Sequence, residues 1–189
     1  MADLPLAQLI DAEALRSRVA ELGKSIAGDY RGRVPVLVGV LSGALPFLAD
    51  LVRAIDIDLE VDFLALSRFG EGGRVRIAMD TEIPLSGRHV IIVEDIVDTG
   101  LTLTVMRRLL AAREVATLAT VALLDKVERR IVEVPLEYRG FQVGDEYLLG
   151  YGLDHDGIFR NLPSIWAVLD VGALGDQARA LANSVLRAR

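Results

Sequence analysis

Hydrophobic positions along the chain change their spacing several times, and each change marks an element. Leu15, Val19, Leu22 and Ile26 recur every third or fourth residue behind Asp11, which predicts a helix capped by Asp11 and ending near Gly28. Val34 to Leu41 is a nearly unbroken, β-branched apolar run, the signature of a strand buried on both faces. Ser42-Gly43-Ala44 then turns into a second helical stretch through Leu51 and Val52, and Leu59, Val61 and Phe63 alternate as a further strand. Gly70-Glu71-Gly72-Gly73-Arg74 holds too many glycines to pack and reads as a mobile loop. Beyond the turn signal Pro84-Leu85-Ser86-Gly87, Val90 to Val93 is a buried strand that runs into Glu94-Asp95, and Leu101 to Arg113 has helical spacing. Leu118 to Leu124 is the next buried strand. From Val132 the pattern breaks into short strands and loops, including 147–149 and 165–169, before a helix from Gln177 to Leu186. Strands alternating with helices predict an α/β fold with a mostly parallel sheet covered on both faces. Ligands of such sheets sit beyond the carboxyl ends of the strands.

Composition narrows the choice. The 189 residues are 52% apolar and carry no repeat, low-complexity tract or long linker, so one domain over 1–189 is expected. The balance of 21 basic against 27 acidic residues gives a net charge of −6, and the basic clusters Arg107-Arg108 and Arg129-Arg130 are only pairs. No nucleic-acid partner is expected of such a surface. The chain has no cysteine, which excludes disulfides, thiolate zinc sites and a cysteine nucleophile, and its histidines, His89 and His155, are too few for a histidine-rich metal site. Met1 to Pro5 lacks the basic-then-apolar layout of a signal peptide. The longest uncharged run, residues 34–49, is interrupted by Pro35, Gly39, Gly43 and Pro46 and falls short of the roughly 20 apolar residues of a membrane span. A soluble, cytoplasmic protein with no membrane partner is the expectation.

Chemistry concentrates at two strand-to-helix junctions, Leu41-Ser42-Gly43 and Glu94-Asp95-Ile96-Val97-Asp98-Thr99-Gly100-Leu101-Thr102. In the second, Thr99 and Thr102 offer hydroxyl donors and Gly100 lets the backbone approach a ligand. The first amides and positive dipole end of the next helix suit a phosphate. No Gly-x-x-x-x-Gly-Lys-Ser/Thr occurs, which excludes a nucleoside-triphosphatase loop. Glu94 and Asp95 suit sugar hydroxyls or Mg²⁺, and Asp98 is a candidate proton acceptor. Taken alone, an Asp-Thr-Gly cap is an ordinary helix start. The whole string behind a β-branched strand is not.

Val90 to Thr102, VIIVEDIVDTGLT, resembles the phosphoribosyl-pyrophosphate (PRPP) signature of the type I phosphoribosyltransferases. Leu123-Leu124-Asp125-Lys126, Gly140-Phe141-Gln142-Val143, Gly150-Tyr151-Gly152-Leu153-Asp154 and Phe159-Arg160-Asn161-Leu162-Pro163 follow in an order similar to that of the hypoxanthine-guanine phosphoribosyltransferases. The likeness runs from about Leu15 to Leu169. It implies the type I phosphoribosyltransferase fold, with a core sheet over about 30–130. A small hood over the carboxyl ends would come from the N-terminal segment and about 132–170.

It also implies Mg²⁺-dependent transfer of 5-phosphoribosyl from PRPP to N9 of hypoxanthine or guanine, releasing pyrophosphate, in a purine-salvage enzyme that forms homodimers or homotetramers. By the same resemblance Glu94 and Asp95 hold the ribose hydroxyls and metal, and Asp98, Thr99, Gly100, Leu101 and Thr102 cradle the 5′-phosphate. Asp98 exchanges a proton with the purine. Lys126 donates to the 6-oxo group, while Tyr147 and Ile96 cover the two faces of the base and Leu148 offers backbone groups to its edge. Asp154 borders the purine and binds a second Mg²⁺. Ser42, Gly43 and Arg160 meet pyrophosphate, and His155 is a solvated neighbour without a role.

The chain departs from the family pattern at two loops. Ser42 stands where the family has a lysine or arginine, in a loop whose bond equivalent to Leu41–Ser42 is cis in the family. Arg68-Phe69 stands where the family has Ser-Tyr, and the stretch to Gly87 is a few residues shorter. Arg68 is expected to supply the charge that Ser42 lacks. A PRPP-binding regulator on the same fold and a xanthine-preferring enzyme remain as alternatives, the former disfavoured by the acidic charge.

Overall fold

The computed structural model describes residues 6–69, 74–174 and 178–187. Its first elements are β1 (Leu6–Ile10) and α1 (Ala12–Asp29), followed by β2 (Val36–Val40), α2 (Leu45–Ala54), β3 (Glu60–Phe69) and β4 (Arg74–Met79). The chain continues through β5 (His89–Val97), α3 (Leu101–Ala111), β6 (Thr117–Asp125) and β7 (Tyr138–Gln142). It ends with β8 (Tyr147–Leu149), β9 (Ile165–Val168), the single turn α4 (Val171–Leu174) and α5 (Ala178–Arg187). The expected glycine-rich loop falls on 70–73, outside the described residues; Arg74 already belongs to β4.

A six-stranded sheet has the order β4-β3-β2-β5-β6-β7, parallel except where β4 folds back along β3. Period-two alternation divides its apolar residues between two layers. Leu37, Ile91, Val93, Val121 and Leu123 face α1 and α2, while Val36, Val38, Val90, Ile92 and Ala122 face Leu103, Met106 and Leu110 of α3. Burial on both faces explains why β2, β5 and β6 read as continuous apolar runs. The Asp11 carboxylate caps α1 by accepting from the Ala14 amide at 2.8 Å, and the predicted stripe Leu15, Val19, Leu22, Ile26 is buried.

β1, β9 and β8 form a separate antiparallel sheet, backed by a third apolar cluster that joins Leu149, Phe159, Leu162 and Val168 to Leu181 and Val185 of α5. The stretch 132–170, expected in the hood, therefore divides: β7 extends the large sheet and β8 and β9 build the small one. Because β2, β5 and β6 are parallel neighbours, the loops that leave Val40, Val97 and Asp125 emerge at one edge. β2 has β3 on one side and β5 on the other, so the crevice between the loops after β2 and β5 lies at the switch point of the sheet.

Candidate active site

The end of β5 supplies paired acids. Glu94 is buried, and that burial, followed by the charge of Asp95, pushes its carboxyl well above the usual carboxylate range. Burial also raises Asp95, opposed by the Ile96 amide, which donates to Oδ1 at 2.8 Å, and by the charge of Arg160. Desolvated neighbouring carboxylates of this kind are poised to accept hydroxyl hydrogens or a hard cation. Ile96 turns toward the α1–α2 side of the sheet, partly buried.

Asp98, Thr99 and Gly100 form the turn into α3. Gly100 takes φ +83°, and a Cβ there would lie 2.3 Å from the Val132 carbonyl oxygen. Only glycine fits. Thr99 Oγ1 accepts weakly from the Leu101 amide at 3.4 Å, and Thr102 lies in the first turn of α3. Residues 126–132 form a strap along this loop. The Lys126 amide donates to the Val97 carbonyl at 2.9 Å, and the amides of Ile131 and Val132 both donate to the Thr99 carbonyl, at 3.0 and 3.1 Å. Arg130 donates to the Asp98 carbonyl at 2.6 Å and pairs with Asp125, a fully buried carboxylate that also meets Arg139 Nε at 2.6 Å. Arg129 Nε donates to Asp98 Oδ1 at 2.7 Å.

Lys126 is buried, and that burial lowers its ammonium, opposed by the charge of Asp98. Its Nζ donates to the Glu146 carbonyl at 2.6 Å and more distantly to that of Asp145. These contacts bring the strap to the start of β8. There Tyr147 is 41% exposed, while Leu148 is buried. His155 is not a solvated neighbour: it packs edge-on against Tyr147, with ring centroids 5.8 Å apart. The Tyr147 hydroxyl, raised by burial and then by Asp154 and Asp156, donates to the Asp154 carbonyl at 3.2 Å.

The loop after β2 comes close to both groups. The Leu41–Ser42 peptide bond is cis, and a Cβ on Gly43 would sit 1.6 Å from Asp95 Oδ2. From the hood, Gly152 approaches so closely that its Cβ would fall 2.0 Å from the Gly43 carbonyl oxygen. Arg160 donates to the Gly152 carbonyl at 2.6 Å and pairs with Asp154 Oδ1 at 2.7 Å; Asp154 Oδ2 accepts from the Gly157 amide. Arg160 and Asp154 thus occupy each other. The backbone of Arg68 pairs with Val75 near the end of β3, and its side chain lies outside the described residues.

Among the described residues no three His, Cys, Asp or Glu groups converge as a metal cage. The donor set nonetheless fits Mg²⁺, which binds through one or two carboxylates and completes its shell with substrate oxygens and water. Glu94, Asp95 and Asp154 are the carboxylates placed to take part. Arg129, Arg130, Asp125 and His155 carry contacts that sequence reading gave no role; the Arg129-Arg130 pair counted there only as surface charge.

The model of the phosphoribosyl transferase domain matches residues 6–156. A hypoxanthine-guanine phosphoribosyltransferase of Streptococcus pneumoniae is 40% identical over 161 residues, covering 83% of this chain and 89% of the relative. A bifunctional TilS/HprT protein of Listeria monocytogenes is 42% identical over 161 residues, covering 83% of this chain but only 25% of that longer protein. The crystal structure of a hypoxanthine-guanine phosphoribosyltransferase from Bacillus anthracis superposes with a TM-score of 0.83 at 40% identity, over 86% of this chain and 98% of that one.

Proposed function

We infer the reaction from one premise: the chain belongs to the hypoxanthine-guanine phosphoribosyltransferases of the type I phosphoribosyltransferase family. It is a purine-salvage enzyme that transfers 5-phosphoribosyl from PRPP to N9 of hypoxanthine or guanine and releases pyrophosphate. The observation that supports this assignment to particular residues is the meeting of Gly43, Asp95 and Gly152, which brings the loop after β2, the end of β5 and the hood to one point.

The 5′-phosphate sits on the amides and hydroxyls of 98–102, at the positive end of α3. Glu94 and Asp95 accept from the ribose hydroxyls, and their negative charge favours the cationic character that C1 gains as pyrophosphate departs. Mg²⁺, held by Asp154 and by the Glu94–Asp95 pair together with substrate oxygens, would supply positive charge to the leaving group. The C1–oxygen bond breaks with its electron pair going to pyrophosphate, the purine N9–C1 bond forms, and the proton on N7 passes to Asp98. Lys126 donates to the 6-oxo group, where adenine would present an amino donor instead. Tyr147 and Ile96 cover the faces of the ring and Leu148 its edge. Arg160, the amides of 42–43 and Arg68 meet pyrophosphate, Arg68 replacing the cation absent at Ser42. A single domain, a homodimer or homotetramer and a cytoplasmic location complete the reading; among the described residues no helix is long and apolar enough to cross a membrane.

Parallel initial rates with PRPP and hypoxanthine, guanine or xanthine, with and without Mg²⁺, test it. Inosine and guanosine monophosphates should form quickly and only with Mg²⁺. PRPP binding without any nucleotide product would point to a regulator, and dominant xanthine turnover would reassign the base.

A further inference from the structure

We propose that Arg129 is the positioning residue for proton transfer: its guanidinium holds Asp98 by Oδ1 and leaves Oδ2 to the purine N7. This rests on the reaction proposed above. The contact is a single hydrogen bond, Nε to Oδ1 at 2.7 Å, between side chains that are 47% and 44% exposed. A half-exposed pair of this kind contributes little to stability. Folding therefore gives no strong reason for the pair, and its location does.

Both partners sit on backbone that is fixed with respect to the other. Arg129 closes the short turn Val127–Arg129, with its amide bonded to the Lys126 carbonyl at 3.0 Å. On either side, the Lys126 amide is tied to Val97 and the Ile131 and Val132 amides are tied to Thr99. The adjacent Arg130 is nearly buried and joins the Asp98 carbonyl to the buried Asp125. The strap is thus fastened to the loop before, behind and beside Asp98, and Arg129 is the side chain it presents to the Asp98 carboxylate. At its start is Lys126, which feels the charges of both Asp98 and Arg129. The groups assigned to N7 and to the 6-oxo atom and the Arg129 guanidinium form one charged cluster.

The chemistry fits this placement. An unrestrained aspartate on a loop rotates about its side-chain bonds, and only some rotamers bring an oxygen within hydrogen-bond reach of N7. A guanidinium keeps its charge throughout and has donors but no acceptor, so Arg129 orients Asp98 without competing for the proton. In the step itself, the N7 proton moves to Asp98 as N9–C1 forms and the C1–oxygen pair leaves with pyrophosphate. Arg129 is unchanged by it.

Steady-state kinetics with PRPP, Mg²⁺ and hypoxanthine on the full chain provide the test, with Arg129→Ala, Arg129→Lys, Asp98→Asn and the Asp98→Asn/Arg129→Ala double variant, each checked by thermal melt. Arg129→Ala should lower kcat by roughly ten- to a hundredfold, the range seen when a partner that orients a metal ligand is lost. Its KM for PRPP and its Tm should stay near those of the parent, and Arg129→Lys should restore part of kcat. In the Asp98→Asn background, removing Arg129 should cost nothing further. Wild-type kcat in Arg129→Ala, or the same loss in both backgrounds, would overturn the inference while the reaction stands. No nucleotide from the unmodified chain would overturn both.

Discussion

Glu94 shows at one residue how function opposes stability. Its carboxyl lies in the end of a central strand, and burial raises it well above the ordinary value of 4.5. In the unfolded chain it ionises near that value, so between it and the raised folded value the native state holds more protons. Stability therefore falls as pH rises through that window, and the whole cost is present above it. Glu94→Gln keeps the shape and removes the ionisation. The variant should melt with the parent near pH 4 and at an increasingly higher temperature than the parent toward pH 8, while losing affinity for the ribose hydroxyls. Thermal melts across that range check it; parallel curves would show that Glu94 carries no such penalty. Asp125, equally buried, differs because Arg130 and Arg139 answer its charge.

At the level of elements, α1 carries glycines of opposite meaning. Gly23 faces α2 so closely that a Cβ would lie 2.6 Å from the Ala54 carbonyl oxygen, which is backbone and cannot swing aside. Gly28 is exposed with nothing within 4 Å. Alanine brings about 0.5–1 kcal/mol of helix propensity at either position, but overpacking at Gly23 costs about 1–3 kcal/mol. Gly28→Ala should raise Tm and Gly23→Ala should lower it; a rise in both would mean that the helices separate freely. The stripe around Gly23 was legible because helical period and burial coincide, and β2, β5 and β6 were legible because both faces are covered. β1, β4 and β7 left weaker traces. β4 and β7 lie at sheet edges, and β1 buries only Leu6 and Ile10 and finds β9 more than a hundred residues away. In the site, the residues on 94–102 were legible because strand, turn and helix start are contiguous in the chain. Arg129 on Asp98 and His155 on Tyr147 were not, since a surface arginine or histidine has no pattern that names its partner.

Across the whole molecule, the site exists only because separate sheets are brought into register at their loops. The parallel sheet brings Gly43 against Asp95, and the hood reaches that point through Gly152, whose φ of +105° no other residue adopts without strain. Gly152 also offers its carbonyl to Arg160, so the same contact that seats the hood aims the cation assigned to pyrophosphate. Gly152→Ala would drive a Cβ into the Gly43 carbonyl and force the hood and the loop after β2 apart. Separation by a fraction of an ångström weakens every group that must reach pyrophosphate at once. The KM for PRPP should rise about tenfold or more, a loss of about 1.4 kcal/mol in binding. Gly87, with φ +71° and open space around it, controls for strain alone. Gly87→Ala should lose stability by thermal melt and leave KM unchanged. Equal KM in both variants would mean that the hood meets PRPP without depending on this contact.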